Sequence, residues 1–185
     1  MRPDLVRRAG QGDHDAFSAL ASEAFPQLLR TARLILRDEE QASDAVQDAL
    51  LSAWLHVRAI RDPEHFEMWL RRLLVRACYR EGRRARRRRV IEIHVPELEA
   101  RGPEDLQAAA ADRDQLERGF RRLSIEHRAV LVAHHYLGLR DTEAAAVLEI
   151  PTGTYKSRLS RAWNALRAAL EADDRSAVRV NESIA

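Results

Sequence analysis

The sequence predicts an all-α protein of two small helical domains joined by a flexible linker, the second domain containing a helix-turn-helix. Three observations support this class. Aromatic residues make up only 5% of the 185 residues, with 7 Gly and 6 Pro, a composition that favours helices over sheets. Apolar residues recur at steps of three and four along most of the chain, as in helices with one buried face. Residues 90–104 contain two prolines and lack this period, which indicates the linker.

Composition and charge limit the class of protein further. With 45% apolar and 32% charged residues, the chain can bury a core and remain well solvated. We expect a cytoplasmic protein without membrane insertion, because no secretory leader and no apolar run of about 18 residues is found. Residues 1–90 carry a net charge of +5 and residues 116–185 of +2, on either side of a segment of −5. Two basic blocks indicate contacts with polyanions.

Four helices are predicted in the first domain, residues 10–89. In order they cover about residues 13–24, 26–36, 38–58, and 63–84 or beyond. Pro26 is placed at the start of the second helix, where its missing N–H costs little. The second domain covers residues 105–170. The polar residues 171–185 are predicted to be a disordered tail.

The third predicted helix has two faces that differ in chemistry. One face is rich in alanine and predicts core. The opposite face, called here the docking face, consists of Asp44, Gln47, Asp48, Leu51 and Leu55. An apolar centre with an acidic rim is typical of a protein-binding surface, although scattered surface leucines are a simpler alternative. Asp44 and Asp48 could also form a catalytic carboxylate pair, as in a metal-dependent nuclease. No metal-ligand set, cofactor motif or nucleophile accompanies them in the sequence.

The fourth predicted helix carries a basic stripe with an aromatic residue in it. This arginine stripe consists of Arg72, Arg76, Tyr79 and Arg83. Guanidinium groups neutralise backbone phosphates, and a tyrosine ring can stack on an unpaired base, worth ~1–3 kcal/mol. The stripe therefore predicts nucleic-acid contact. An ordinary solvated arginine face is the alternative.

Residues 140–166 predict the helix-turn-helix. They begin with a short alanine-rich helix that Asp141 or Thr142 can cap, and Pro151 follows in the turn. Thr152 can start the second helix. Glu149 stands in the turn where glycine would relieve a positive φ.

The second helix of this motif has an apolar side and an outward side. The apolar side consists of Tyr155, Leu159, Ala162, Leu166 and Leu170. The outward side consists of Ser157, Arg161 and Asn164, flanked by Lys156 and Arg158. A short helix braced behind such a helix is the arrangement that enters the major groove. A helical hairpin with a solvated polar face is the alternative.

Three segments together resemble the extracytoplasmic-function (ECF) sigma factors of bacterial RNA polymerase. They are DAVQDALLSAW at 44–54, FEMWLRRLLVRA at 66–77 and IPTGTYKSRLSRA at 150–162. The resemblance implies two helical domains, regions 2 and 4. It also implies a function in promoter-specific initiation without covalent chemistry. A stand-alone helix-turn-helix regulator is the alternative.

The resemblance also implies a role for each surface. The docking face matches the region 2 helix that binds the β′ clamp helices of core RNA polymerase, while region 4 contacts the β subunit. The connector 60–66 matches the loop that captures a flipped base of the −10 element, and the arginine stripe follows it. The face that reads the −35 element, called here the recognition face, matches Thr154, Lys156, Ser157, Arg158 and Arg161. Promoter DNA and an anti-sigma factor are the further partners implied.

The sequence departs from the family pattern at three positions. Arg76 stands where asparagine is common, so the −10 base preference does not carry over. Glu149 and Tyr155 replace the usual glycine and valine, which affects the pose of the recognition helix.

Overall fold

The computed structural model describes residues 2–91 and 108–182, with side chains for 2–86 and 115–172. All its regular elements in these ranges are helices. The main helices are α1 (Pro3–Gly10), α2 (His14–Leu36), α3 (Glu39–His56), α4 (Phe66–Ile91), α5 (Ala108–Arg121), α6 (Ile125–Leu131), α7 (Asp141–Val147) and α8 (Thr152–Glu182). We call α1–α4 the N-terminal unit and α5–α8 the C-terminal unit. Of the predicted linker, residues 90 and 91 end α4, and residues from 92 onward lie outside the described ranges.

Two features of the N-terminal unit differ from the prediction. Helix α1, which buries Leu5 and Val6, was not predicted. The two helices predicted on either side of Pro26 are one continuous helix, α2. Pro26 removes the backbone hydrogen bond to the Ser22 carbonyl, but both residues lie on the exposed side, where water can satisfy that carbonyl. The buried side continues past the proline, and this packing keeps the helix whole.

Aspartates fix the starts of α2 and α3. The Asp13 carboxylate accepts a hydrogen bond from the Ala16 amide at 3.0 Å, and Asp38 accepts one from Gln41 at 2.9 Å. The amide of Ala16 and the Arg8 guanidinium hold the pKa of Asp13 below its usual range. Both caps set where the buried faces of these helices begin.

The C-terminal unit places its helix-turn-helix between α7 and α8. The predicted caps of α7 were wrong: Arg140 is the N-cap residue, and its backbone N–H donates to the Glu143 carboxylate at 3.1 Å. Helix α8 begins at Thr152, as predicted. It continues to Glu182 and so includes residues 171–182 of the predicted tail. Neither Gly nor Pro interrupts this stretch.

The two units pack against each other, and their buried apolar residues form one continuous cluster. The Arg128 guanidinium is buried between them, where its Nε donates to the Ile35 carbonyl at the end of α2 at 2.6 Å. Its Nη1 donates to the Leu123 carbonyl at 2.6 Å. This burial lowers the pKa of Arg128 to about 10, so the side chain stays charged near neutral pH. Across the residues that the structure describes, no helix is long and apolar enough to cross a membrane.

Candidate nucleic-acid interface

The docking face lies on the outer side of α3, and all five of its residues are exposed. Leu51 is 58% exposed and Leu55 is 65% exposed, although both belong to a helix with a fully apolar inner side. That inner side is buried as predicted and consists of Ala42, Ala45, Val46, Ala49 and Ala53. The Arg80 guanidinium on α4 lies 3.7 Å from the Asp48 carboxylate. The structure therefore presents two leucines with an acidic rim as one accessible surface.

An open cleft lies between α4 and the connector that precedes it. The cleft is lined by His56, Ala59, Ile60, Arg61, Asp62, His65, Met68, Trp69, Arg72, Leu73 and Arg76. Its volume of about 620 Å³ falls within the usual ~300–1,000 Å³ of a small-ligand site. The cleft combines aromatic, apolar and cationic groups, and its volume exceeds that of a single planar base.

The Asp62 carboxylate shapes the connector at the edge of this cleft. It accepts a hydrogen bond from the Glu64 amide at 3.0 Å and lies 2.8 Å from His65 Nδ1. These contacts fix the short 3₁₀ turn Pro63–His65, which leads directly into α4 at Phe66. These local polar contacts thus fix where the helix that carries the arginine stripe begins.

The arginine stripe lies on α4 as predicted, but most of it faces the C-terminal unit. Arg72 forms an ion pair of 3.5 Å with Glu143 on α7, and Arg76 pairs with Glu149 in the turn. Tyr79 is only 4% exposed. Arg83 is exposed, with its guanidinium carbon 5.8 Å from the centre of the Tyr79 ring. In this arrangement the Tyr79 ring is not open to a stacking base.

The recognition face lies on the first three turns of α8. Lys156, Ser157 and Arg161 are exposed, whereas Thr154 and Arg158 are half-buried. The Arg161 Nε donates to the Ser157 carbonyl at 3.1 Å. This contact holds the guanidinium along the outer side of the helix, and Arg158 is the member that turns toward the N-terminal unit.

The inner side of α8 and the turn before it agree with the prediction. Tyr155, Ala162 and Leu166 are buried, and Leu159 and Leu170 pack against the same cluster. Burial and the nearby Asp141 carboxylate raise the pKa of Tyr155 to about 12, which keeps its hydroxyl neutral. Glu149 has a φ of 55°, the left-handed conformation for which glycine was expected.

Several residues that join the two units were missed by the sequence analysis. An added Cβ on Gly82 would lie 1.8 Å from Cδ1 of Ile125, so any larger residue at position 82 would push the Ile125 side chain out of its place between α4 and α6. A glycine inside a predicted helix was the available signal. The role of Arg128 had no local signal, since its carbonyl partner Ile35 is distant in the chain.

Cys78, His134 and His135 are not members of these surfaces. Cys78 is completely buried, and this burial raises the pKa of its thiol well above its usual range. His134 and His135 stack edge to face with ring centres 4.7 Å apart. No cluster of three or more metal-ligating side chains occurs in the part of the chain that the structure describes.

Comparison with known sequences matches both halves of the chain. The profile described as sigma-70 region 2 matches residues 20–88, and the profile for sigma-70, region 4 matches residues 113–166. The ECF RNA polymerase sigma factor SigM of Mycobacterium tuberculosis is 35% identical over 159 residues, covering 86% of this chain and 79% of the relative. SigL of the same organism is 36% identical over 171 residues, covering 90% of this chain and 95% of the relative.

Solved structures give the same result. The sigma factor RpoE of Bartonella quintana, solved with the anti-sigma factor NepR, matches with a TM-score of 0.63 and 27% identity, covering 85% of this chain and 98% of that one. CnrH, solved with the cytosolic domain of CnrY, matches with a TM-score of 0.55 and 28% identity, covering 92% and 97%. The chain therefore belongs to the ECF RNA polymerase sigma factors, proteins that direct transcription initiation at promoters.

Proposed function

We propose that the docking face binds core RNA polymerase and that the arginine stripe and recognition face bind promoter DNA. The observation that carries the polymerase assignment is the exposure of Leu51 and Leu55 on a helix whose other side is core. Two exposed leucines with an acidic rim suit a partner surface with an apolar centre and basic surroundings, and the resemblance gives the β′ clamp helices as that partner. A region 4 contact with the β subunit completes the docking. Core RNA polymerase and promoter DNA are both cytoplasmic in bacteria, so the chain is proposed to act in the cytoplasm.

The recognition face is proposed to read the −35 element in the major groove. Arg161 and Lys156 can bond to guanine, while Ser157 can position the helix on a phosphate. All three side chains are exposed on the outer side of α8, as this role requires. At the −35 element the recognition face contributes binding and orientation.

The −10 element is proposed to bind region 2 after its strands separate. The cleft beside the connector has room for one flipped base, and Arg72 and Arg76 line it. Flipping a base costs a few kcal/mol, so a pocket for the unpaired base favours the open state. The arginine stripe supplies the phosphate contacts beside this pocket.

Binding to an anti-sigma factor is proposed as well. Two similar sigma factors were solved in complexes, RpoE with the anti-sigma factor NepR and CnrH with the cytosolic domain of CnrY. A partner of this kind regulates the chain by competing with the polymerase for its surfaces.

Site-specific photocrosslinking in reconstituted holoenzyme tests these assignments. A photoreactive phenylalanine analogue at position 47 is expected to crosslink to the β′ subunit. The same analogue at position 157 is expected to crosslink to promoter DNA near −35. Arg30, exposed on α2, provides a control position that should give neither product. Crosslinks at position 157 to polymerase alone, or at position 47 to DNA, would contradict the assignment.

A further inference from the structure

The contact between the two units involves both surfaces proposed to bind DNA. The C-terminal unit places Glu143 against Arg72 at 3.5 Å and Glu149 against Arg76. Two carboxylates therefore lie against guanidinium groups that would otherwise meet DNA phosphates. Carboxylates in this position imitate the charge of the nucleic-acid backbone.

Tyr79 links the two proposed DNA surfaces directly. The Arg158 Nη1 on the recognition face donates a hydrogen bond of 2.7 Å to the Tyr79 hydroxyl. The Arg158 guanidinium carbon also lies 5.9 Å from the centre of the Tyr79 ring, and Arg83 lies 5.8 Å away. Because Tyr79 is buried by these contacts, it cannot stack on a base until the units separate.

Glu149, in the turn of the helix-turn-helix, supports a specific role for the contact between the two units. Glu149 adopts a left-handed φ of 55°, which costs a residue with a side chain more than glycine. Its carboxylate is bonded to Arg76 on the other unit. A glycine would suit the backbone better but would lack this ion pair. The interdomain contact thus explains why a strained glutamate occupies the turn.

A second pair of residues shows that the units fit closely at the other end of the contact. Gly82 on α4 admits the Ile125 side chain of α6, which any Cβ would displace. Arg86 also pairs with Glu126 at 2.7 Å across the same boundary. Steric fit and charge pairing coincide along the length of α4. Agreement between steric fit and charge pairing is expected when two units pack in one specific arrangement.

We propose that this sigma factor has a closed state in which its own C-terminal unit occupies the arginine stripe and holds DNA binding in check. The docking face stays exposed in this state, with Leu51 58% and Leu55 65% accessible, so polymerase can bind before the units separate. Separation then frees the arginine stripe and Arg158 together. This inference rests on the proposed role of the arginine stripe in binding DNA.

Variants that open the contact without touching a proposed DNA-binding residue test the closed state. Gly82→Leu is a wedge against Ile125 that changes no charge. The double variant Glu149→Gly/Glu143→Gln removes both carboxylates; glycine suits the turn, and the amide oxygen of a glutamine at position 143 can still accept the bond that caps α7. Thermal unfolding confirms that each variant is folded, and either variant alone suffices for the test.

Closure is measured by energy transfer between two dyes on the full chain. The dyes are attached at Glu40→Cys and Arg167→Cys, which are exposed on opposite units. Cys78 is fully buried and needs no replacement. Transfer efficiency is expected to be lower in both opened variants than in the parent chain that carries the same two dyes. Unchanged efficiency in both would overturn the closed state.

DNA binding is measured in parallel with a labelled 20-nucleotide single strand of mixed sequence. Both opened variants are expected to bind it at least fivefold more tightly than the parent chain. A matched variant, Glu117→Gln/Glu171→Gln, removes two exposed carboxylates elsewhere on the C-terminal unit and should gain less than twofold. Opening without a gain in affinity would overturn the inhibitory role. An equal gain in the matched variant would do the same, because it would show a general charge effect.

One further substitution distinguishes failure of the arginine-stripe assignment from failure of the closed state. Arg83→Ala in the Gly82→Leu background should lower the affinity for the same strand at least threefold if the arginine stripe binds DNA. If the opened chain binds tightly and Arg83→Ala has no effect, the closed state stands while the assignment of the arginine stripe fails.

Discussion

Arg158 donates a hydrogen bond of 2.7 Å to the hydroxyl of Tyr79, so a residue proposed for the −35 element holds one proposed for the −10 element. The two side chains come from α8 and α4, at the centre of the contact between the units. Neither side chain can serve DNA fully while this bond persists. Promoter binding therefore requires a rearrangement of the units, and the exposed docking face offers polymerase a way to begin it.

Substitution of an exposed leucine on the docking face should weaken the complex with core polymerase. Leu51→Asp places a charge at the apolar centre of the proposed interface, and we expect a loss of about 2 kcal/mol or more. This corresponds to a Kd roughly thirty times higher, measurable by fluorescence anisotropy. Leu34→Asp is the matched control, since Leu34 is 40% exposed on α2. Equal losses in both variants would remove the claim that the docking face is specific.

Removal of one guanidinium from the recognition face should separate DNA recognition from polymerase binding. Arg161→Ala is expected to cost ~1–3 kcal/mol of −35 recognition while the affinity for core polymerase is unchanged. Transcription from a −35-dependent promoter, together with holoenzyme assembly, gives the two readings. Arg167→Ala, on an exposed position farther along α8, is expected to have little effect. Loss of core binding in Arg161→Ala would contradict the assignment.

The Cys78 thiol should be inert in the folded protein. Because burial raises its pKa, almost no thiolate is present at about pH 8, and the reagent has no access. Ellman's reagent is expected to detect one thiol per chain only after unfolding in guanidinium chloride. Rapid reaction of the folded chain would instead contradict the burial of this thiol.

The free energy of unfolding should fall as the pH drops below about 6.5. Partial desolvation lowers the pKa of the half-buried His127, and partial desolvation together with the neighbouring His134 lowers the pKa of the more exposed His135. The unfolded chain therefore binds more protons than the folded chain below the usual histidine pKa, so folding loses stability there. Urea unfolding at about pH 7.5 and about pH 5.5 measures the change.

The matched variant for this measurement is His127→Gln/His135→Gln, in which the decrease should be smaller. An identical decrease in the parent chain and this variant would assign the pH dependence to other groups.

The sequence predicted most of what depends on local pattern. The buried and exposed sides of α3 follow from helical period, and so do the inner side of α8 and its start at Thr152. The positive φ of Glu149 was predicted from the turn alone. Such features depend on residues close together in the chain, where spacing determines which side chains share a face.

The features that the sequence did not predict depend on distant contacts. Helix α2 continues through Pro26 because its buried side continues, and tertiary packing outweighs the local signal of the proline. The burial of Tyr79 arises from α8, far along the chain, so the helical period of α4 alone placed it on an open face. The bond between Arg128 and Ile35 likewise joins residues that no periodicity relates.

Transcription in a purified system is the decisive test of promoter-specific initiation by this chain. Core RNA polymerase is reconstituted with this chain as its only specificity subunit and given a genomic promoter library, and the start sites are mapped. We expect initiation at discrete sites that share −35 and −10 elements, with loss of initiation in both Leu51→Asp and Arg161→Ala. Absence of specific initiation, or initiation that neither substitution affects, would contradict this expectation.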